Sequence, residues 1–387
     1  MVLHTKRVDR PTAKALPAKR ICAAVALTFG SLAVTQAMAG DFTMDNGIEG
    51  RWSLNASVGN SWRARTADRN LIMVGNGGTA GSSHDDGNLN YQRGDTFSTI
   101  AKAIGELSLK RDNLGVFLRA KAWYDYELKR GDVHHGSAAN GYVRESTLKD
   151  SEFDRLSKFS GFDIADAYVF ANTAVGESEH PLTIKFGNHV VNWGESLFVP
   201  GINQFGAFDI AAARRPGAQV KEILLPIPQI SANLGLTDSL SVEGFYQLTW
   251  KKNILDGCGT YWSISDLYNC SDRGVPIGAG FLVGKTDQVL FGPTPSLTNP
   301  PVPGSLATNA ILFNAGNINP KSSGQWGIAA RYFAQEISTE FGAYFANYHQ
   351  RSPVISALGN ASPFPSAFNG GGLHCRRADS RNCWTPS

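Results

Sequence analysis

The stretch 240-LSVEGFYQLTWK-251 decides the fold. Leu240, Val242, Gly244, Tyr246, Leu248 and Trp250 share one face, and Ser241, Glu243, Phe245, Gln247, Thr249 and Lys251 share the other. A period of two marks a β-strand, because successive Cβ atoms point to opposite sides of a sheet. The pattern recurs from Gly115 to Asp125, with Val116, Leu118, Ala120, Ala122 and Tyr124 opposite Phe117, Arg119, Lys121, Trp123 and Asp125. It recurs again from Gln325 to Gln335, where Trp326, Ile328, Ala330 and Tyr332 oppose Gln325, Arg331 and Gln335. Long stripes at helical period are missing. Past the N-terminal region, no segment reaches the roughly 18 consecutive apolar residues of a membrane helix.

Outward from this stretch, strands are expected near 51–64, 97–110, 114–127, 162–173, 182–192, 229–236, 240–252, 324–334 and 338–350. The connections alternate in length. They are long at 65–96, 128–161, 193–228 and 253–323, and short at 111–113, 177–181, 237–239 and 335–337. Outer-membrane barrels have this pattern, with short turns toward the periplasm and long loops outside. Strands of ten or more residues also suit a tilted membrane crossing. The expected fold class is therefore all-β: an antiparallel outer-membrane-type β-barrel, incomplete at about nine strands, with long extracellular or in-folded loops. A soluble sandwich accounts equally well for any single strand, but not for the alternating loops. In lipid the outer face must be apolar, whereas the lumen can carry charge. Glu106, Arg119, Lys121, Asp125, Lys185, Glu243 and Arg331, with Lys102, are expected to face the lumen. Trp52, Trp62, Tyr124, Tyr126, Trp250, Phe341 and Tyr348 fall toward strand ends, where interfacial girdles sit.

The N-terminal region carries Lys6, Arg7, Arg10, Lys14, Lys19 and Arg20 against Asp9, then an apolar run from Ile21 to Val34, then Ala37-Met38-Ala39. This is the pattern of a signal peptide over residues 1–39, cut after Ala39. The whole chain holds 36 basic and 33 acidic residues. Without the leader the balance becomes 30 to 32, so the basicity belongs to export and no nucleic-acid partner is expected. Cys258 and Cys270 lie twelve apart in a polar loop and are expected to form a disulfide in an oxidising compartment. No Cys-x-x-Cys pattern points to a metal instead.

Residues 193–228 form the most distinctive connection. Asp209 is placed to cap a short helix at Ile210, which Pro216-Gly217 would end. Folded into the lumen, Trp193 and Phe205 would narrow a channel, and Glu195, Asp209, Arg214, Arg215, Lys221 and Glu222 would set its charge selectivity. Packed over the rim, the loop would use Trp193 as an interfacial anchor, and its Arg pair would bond to carbonyls or carboxylates.

Asp85, Asp86, Asn88 and Asn90 cluster in a Gly-rich loop. They lack the EF-hand spacing and its closing Glu, so a solvated loop and no metal are expected. His84, His134 and His135 are expected to be exposed. No Ser-His-Asp order, phosphate loop or metal signature is present. Glu195 and Asp209 have no fixed separation that would make them a glycosidase pair. No catalytic residues and no cofactor are expected.

The segments 41-DFTMDNGIEGRWSLNASVGNSWRAR-65, 85-DDGNLNYQRGD-95, VVNWGES, FDIAAARRPGAQVKEILLPIP, LGLTDSLSVEGFYQLTW and CGTYWS resemble the bacterial domain-of-unknown-function family 1302, from about Asp41 to about Pro365. The resemblance implies an outer-membrane barrel linked with export or handling of hydrophobic compounds. It supplies no catalytic residues. The expected function is an outer-membrane channel or transport-associated protein for small, hydrophobic molecules. The alternatives are a structural or partner-binding component of an export system and a surface hydrolase. Expected partners are outer-membrane lipid, a small solute, and a periplasmic or inner-membrane transporter. The barrel would occupy 40–352. Residues 353–387 lose the strand pattern and read as an aberrant tail, from truncation or a frameshift near Gly370, with Cys375 and Cys383 as accidents of that change. Family members are longer, and bacterial barrels have even strand numbers.

Overall fold

A computed structural model describes residues 31–80, 84–194, 201–266, 268–270, 275–276, 286–288, 311–312 and 317–354. Ten strands form one sheet: β1 (Ser31–Thr43), β2 (Glu49–Trp62), β3 (Thr96–Arg111), β4 (Leu114–Asp125), β5 (Ser160–Val175), β6 (His180–His189), β7 (Ile227–Gly235), β8 (Leu240–Gln247), β9 (Gln325–Ala334) and β10 (Thr339–Asn347). Their order in the sheet is their order in the chain, and each pairs antiparallel with the next. All nine expected strands are present. The count of nine is corrected to ten by β1, which pairs with β2 from Ser31↔Ser61 to Thr43↔Glu49. That strand falls partly on the stretch read as a leader, because an apolar run of this kind satisfies both patterns.

The expected all-β antiparallel class holds. The sheet is open: among the described residues β1 and β10 are its two edges, and no pairing joins them. The connections keep the alternation. Short links join β1 to β2, β3 to β4, β5 to β6, β7 to β8 and β9 to β10. In the two-residue turn after β3, Asp112 takes a φ of 52°, a conformation Asp enters more readily than most side chains. The long connections 63–95, 126–159, 190–226 and 248–324 all leave from the opposite end, as a meander requires.

The two faces of the sheet have opposite chemistry. Val116, Leu118, Phe162, Ile164, Phe186, Ile230, Tyr246, Trp326, Ile328 and Phe345 are exposed, Phe162 by 62% and Ile164 by 58%. On the other face Lys102, Lys121, Asp125, Gln229, Gln247 and Gln325 are buried. A soluble sandwich would cover the apolar face with a second sheet. The other sheets among the described residues are two-stranded scraps, such as Ala207–Phe208 with Leu224–Leu225. The core lies instead on the charged side, between the sheet and the long connections. One cluster joins Ile100 and Trp123 of β3 and β4 to Ala211, Leu225 and Ile254. A second joins Phe245 and Ala329 to Trp193 and Phe205.

Candidate functional site: the charged face and the loops that cover it

Alternation along β3 and β4 places Lys102, Glu106, Arg119 and Lys121 on one face, and the segment 201–226 crosses that face. Two short helices carry its charges. In α1 (Ile210–Ala213), Asp209 is the N-cap, as its sequence position suggested. One Asp209 oxygen accepts from the amide of Ala212 at 2.9 Å, and the other from Lys121 Nζ at 3.0 Å. In α2 (Val220–Ile223), Glu222 reaches back to the amide of Gln219 at 2.9 Å and accepts from Lys102 Nζ at 2.7 Å. Lys221 pairs with Glu106 at 3.0 Å, and Glu106 also receives Arg119 Nε at 2.9 Å. Arg119 extends the chain to Asp166 at 2.5 Å. The Lys102–Glu222 and Lys121–Asp209 pairs are almost wholly buried. Buried charges persist only with partners, because desolvation otherwise forbids them.

The remaining expected residues fall around this network. Arg214 bonds to the Asp256 carboxylate and to the Trp262 carbonyl, each at 2.5 Å. Arg215 donates to the Leu156 carbonyl at 2.8 Å and lies 4.8 Å from the Trp123 ring centre. Asp125, Arg214 and Arg215 line one recess with Trp123, Asp256 and Trp262. Arg331 pairs with Glu243 at 3.3 Å, and Lys185 lies 5.6 Å from the Tyr168 ring centre. Trp193 and Phe205 are buried against Phe245, with ring centres 4.5 to 5.1 Å apart. Trp193 is 2% and Phe205 1% exposed. Asp209 has both oxygens engaged and is no free carboxylate for hydrolysis. Glu195 lies outside the described residues.

At the loop end, three long connections build a second body with a core of Met73, Tyr91, Phe97, Val133, Phe153, Phe159 and Cys258. The expected disulfide joins Cys258 to Cys270, with Cα atoms 5.4 Å apart. Asn90 ties the three connections together. Its Oδ1 accepts from the amides of His135 and Gly136 at 3.1 and 2.7 Å, and its Nδ2 donates to the Gly259 carbonyl at 2.8 Å.

Here the expectation of a solvated acidic loop is overturned. Asp85 is fully buried, and Asp86 and Asn90 are each 1% exposed. Asp266 and Asp287, both buried, arrive from the connection after β8. His135 is buried as well, contrary to its expected exposure. His134 keeps partial exposure between Asp95 and Glu145, and its bond to Glu145 holds its pKa above the ordinary value. His84 is exposed as expected. Burial, and then the charge on Asp287, push the Asp85 carboxyl up to about 6. Burial, reinforced by neighbouring acids, drives Asp86 and Asp266 well above the carboxylate range. Donor atoms of Asp85, Asp86 and Asp266 lie within 4.8 Å of one another, as do those of Asp86, His135 and Asp287. Sequence reasoning found Asp85 and Asp86 but missed Asp266 and Asp287, which have no local motif.

These features define a class: one antiparallel meander that leaves its apolar face bare and folds its long connections over a charged face. The chain belongs to the family described as Protein of unknown function (DUF1302), whose model matches residues 20–378. The comparison with curated proteins finds no match.

Proposed function

We propose that this chain is an exported outer-membrane β-barrel protein, a channel or transport-associated component for small hydrophobic molecules. One observation carries the reading: the aliphatic and aromatic side of the sheet is bare along its length, while the charged side is covered and paired. Lipid is the solvent that accepts such a face at no cost, since strands in a membrane must turn apolar side chains outward. Backbone groups of the inner strands are satisfied between strands, as the bilayer demands, and the two edge strands would need to pair as well. Among the described residues no helix is long and apolar enough to cross a membrane, which does not conflict with this, because barrels cross with strands. The solute class rests on the family resemblance, not on a pocket.

A second reading, a structural or partner-binding component of an export system, is favoured by the covering segment. Asp209, Lys221 and Glu222 are ion-paired to the sheet, and in a closed barrel that network would lie on the lumen side. Planar-bilayer recording separates the two. A channel gated by this segment gives small or intermittent conductance in the wild type. Removing both anchors with Asp209→Ala and Glu222→Ala then raises the conductance several-fold. Silence in both proteins favours the structural component. Recovery of the wild type as a soluble, monodisperse protein without detergent would sink both.

A further inference from the structure

We infer that Asp85, Asp86, Asp266 and Asp287 form a calcium site that locks the long loops to one another. The first observation is charge. Four carboxylates are each at most 2% exposed, and they form two overlapping groups, Asp85 with Asp86 and Asp266, and Asp86 with Asp287 and His135. Among the described residues the one ion-pair partner they have is His135, at 3.0 Å from Asp287 and 3.9 Å from Asp86. Elsewhere in this molecule the buried acids Asp163, Asp166, Asp209 and Glu222 each meet a Lys or Arg, and Asp125 is held by the Ser98 hydroxyl and two backbone amides. Here four acids share one histidine.

The second observation is independent of charge and concerns individual oxygens. One Asp85 oxygen accepts from the Met73 amide and from Asn76 Nδ2, both at 2.9 Å. One Asp266 oxygen accepts from the Asp85 amide at 3.2 Å. One Asp287 oxygen accepts from Asn76 Nδ2 at 2.7 Å and faces His135 Nε2 at 3.0 Å. The other oxygens of Asp85 and Asp266, one oxygen of Asp86, and Asn76 Oδ1 are buried with no hydrogen-bond partner among the described residues. Buried acceptors without partners are costly, and one bound cation would satisfy these together. The pattern is consistent: one oxygen of Asp85 and of Asp266 is held by protein, and the second is left for a ligand.

The donor chemistry selects the ion. The unpartnered atoms are three carboxylate oxygens and one amide oxygen, all hard donors. Calcium takes six to eight such oxygens in a flexible shell, and water can complete it. Zinc prefers nitrogen and sulfur in a tetrahedral set, and His135 is the single nitrogen donor of the two groups. His135 then acts as a positioning residue, orienting Asp287 from behind. The ligands come from the connection after β2 and the connection after β8, and His135 from the connection after β4. One ion would therefore clamp three loops that the backbone leaves separate.

The test uses the full-length protein folded in detergent, with calcium chloride as the probe. Metal content after gel filtration and thermal midpoints in calcium against EGTA are measured. One calcium per chain is expected, with a midpoint that falls in EGTA and returns on re-addition. Asp86→Asn and Asp266→Asn are expected to weaken calcium about tenfold or more, since affinity follows the number of charged ligands. A wild type that retains no calcium and melts identically in both buffers overturns the proposal. So does a wild type that retains zinc in place of calcium. If the acids are instead held protonated, the Asn variants match or exceed wild-type stability with no calcium effect, which also overturns it. Should the variants fail to fold, the wild-type comparison decides alone.

Discussion

Asp85 shows what a single carboxylate can report. Its pKa stands near 6 because burial and Asp287 disfavour its charge, against about 4 in an unfolded chain. The folded state therefore binds protons more tightly than the unfolded one over that window. Stability must rise as pH falls from about 7 to about 4.5 and decline as pH climbs back through 6. This holds only without metal. With calcium present, protons compete for the same oxygens, so the trend should flatten or reverse. Thermal midpoints across that range, in EGTA and in calcium, check both halves of the argument. The residues also differ in how far they could be read in advance. Asp209 was legible as a helix cap because a cap needs only the next three amides. Asp86 was misread as solvated because its covering partners lie about 180 to 200 residues further along the chain, at Asp266 and Asp287. Spacing within one loop carries no information about that.

At the scale of elements, the strands were legible because alternation is local, and each pleat states its own two faces. Strand ends were less so. The pattern in Leu240 to Lys251 continues past Gln247, where β8 stops, because Leu248 to Trp250 keep alternating after the ladder has ended. The face assignment makes a sharp prediction. Ile164 of β5 is exposed on the apolar side. If lipid covers it, Ile164→Arg should cost about 2–4 kcal/mol of folding free energy in liposomes, the range for a charge near the bilayer midplane. Val220 of α2 is similarly exposed but lies on the segment over the charged face. Val220→Arg should change stability by no more than about 0.5 kcal/mol, as surface substitutions do. Chemical unfolding in vesicles measures both. Equal, small effects would mean that water, not lipid, touches the aliphatic side.

At the scale of the whole molecule, strand parity governs closure. In a meander of antiparallel strands, odd and even strands run in opposite directions. β1 and β10 are therefore antiparallel to each other, and the two open edges have the right polarity to pair. On the proposed outer-membrane reading lipid requires them to be satisfied, since an unpaired edge leaves its amides and carbonyls without partners. Cleavage after Ala39 changes this. It would remove Ser31 to Ala39 and leave β1 only Gly40 to Thr43 opposite Trp52 to Glu49. The new edge would be the long free flank of β2, which runs in the same direction as β10. Nine strands cannot close in a purely antiparallel way, so a further strand or a second chain must supply the missing partner. The two cases are separable by gel mobility without boiling, because a closed barrel resists detergent and migrates as a compact band. Refolded protein beginning at residue 31 should show a heat-modifiable monomer, whereas protein beginning at residue 40 should not, running unfolded or as a larger assembly. A compact monomer from the shorter chain would mean that β2 and β10 meet in some other register, and the parity argument would fail.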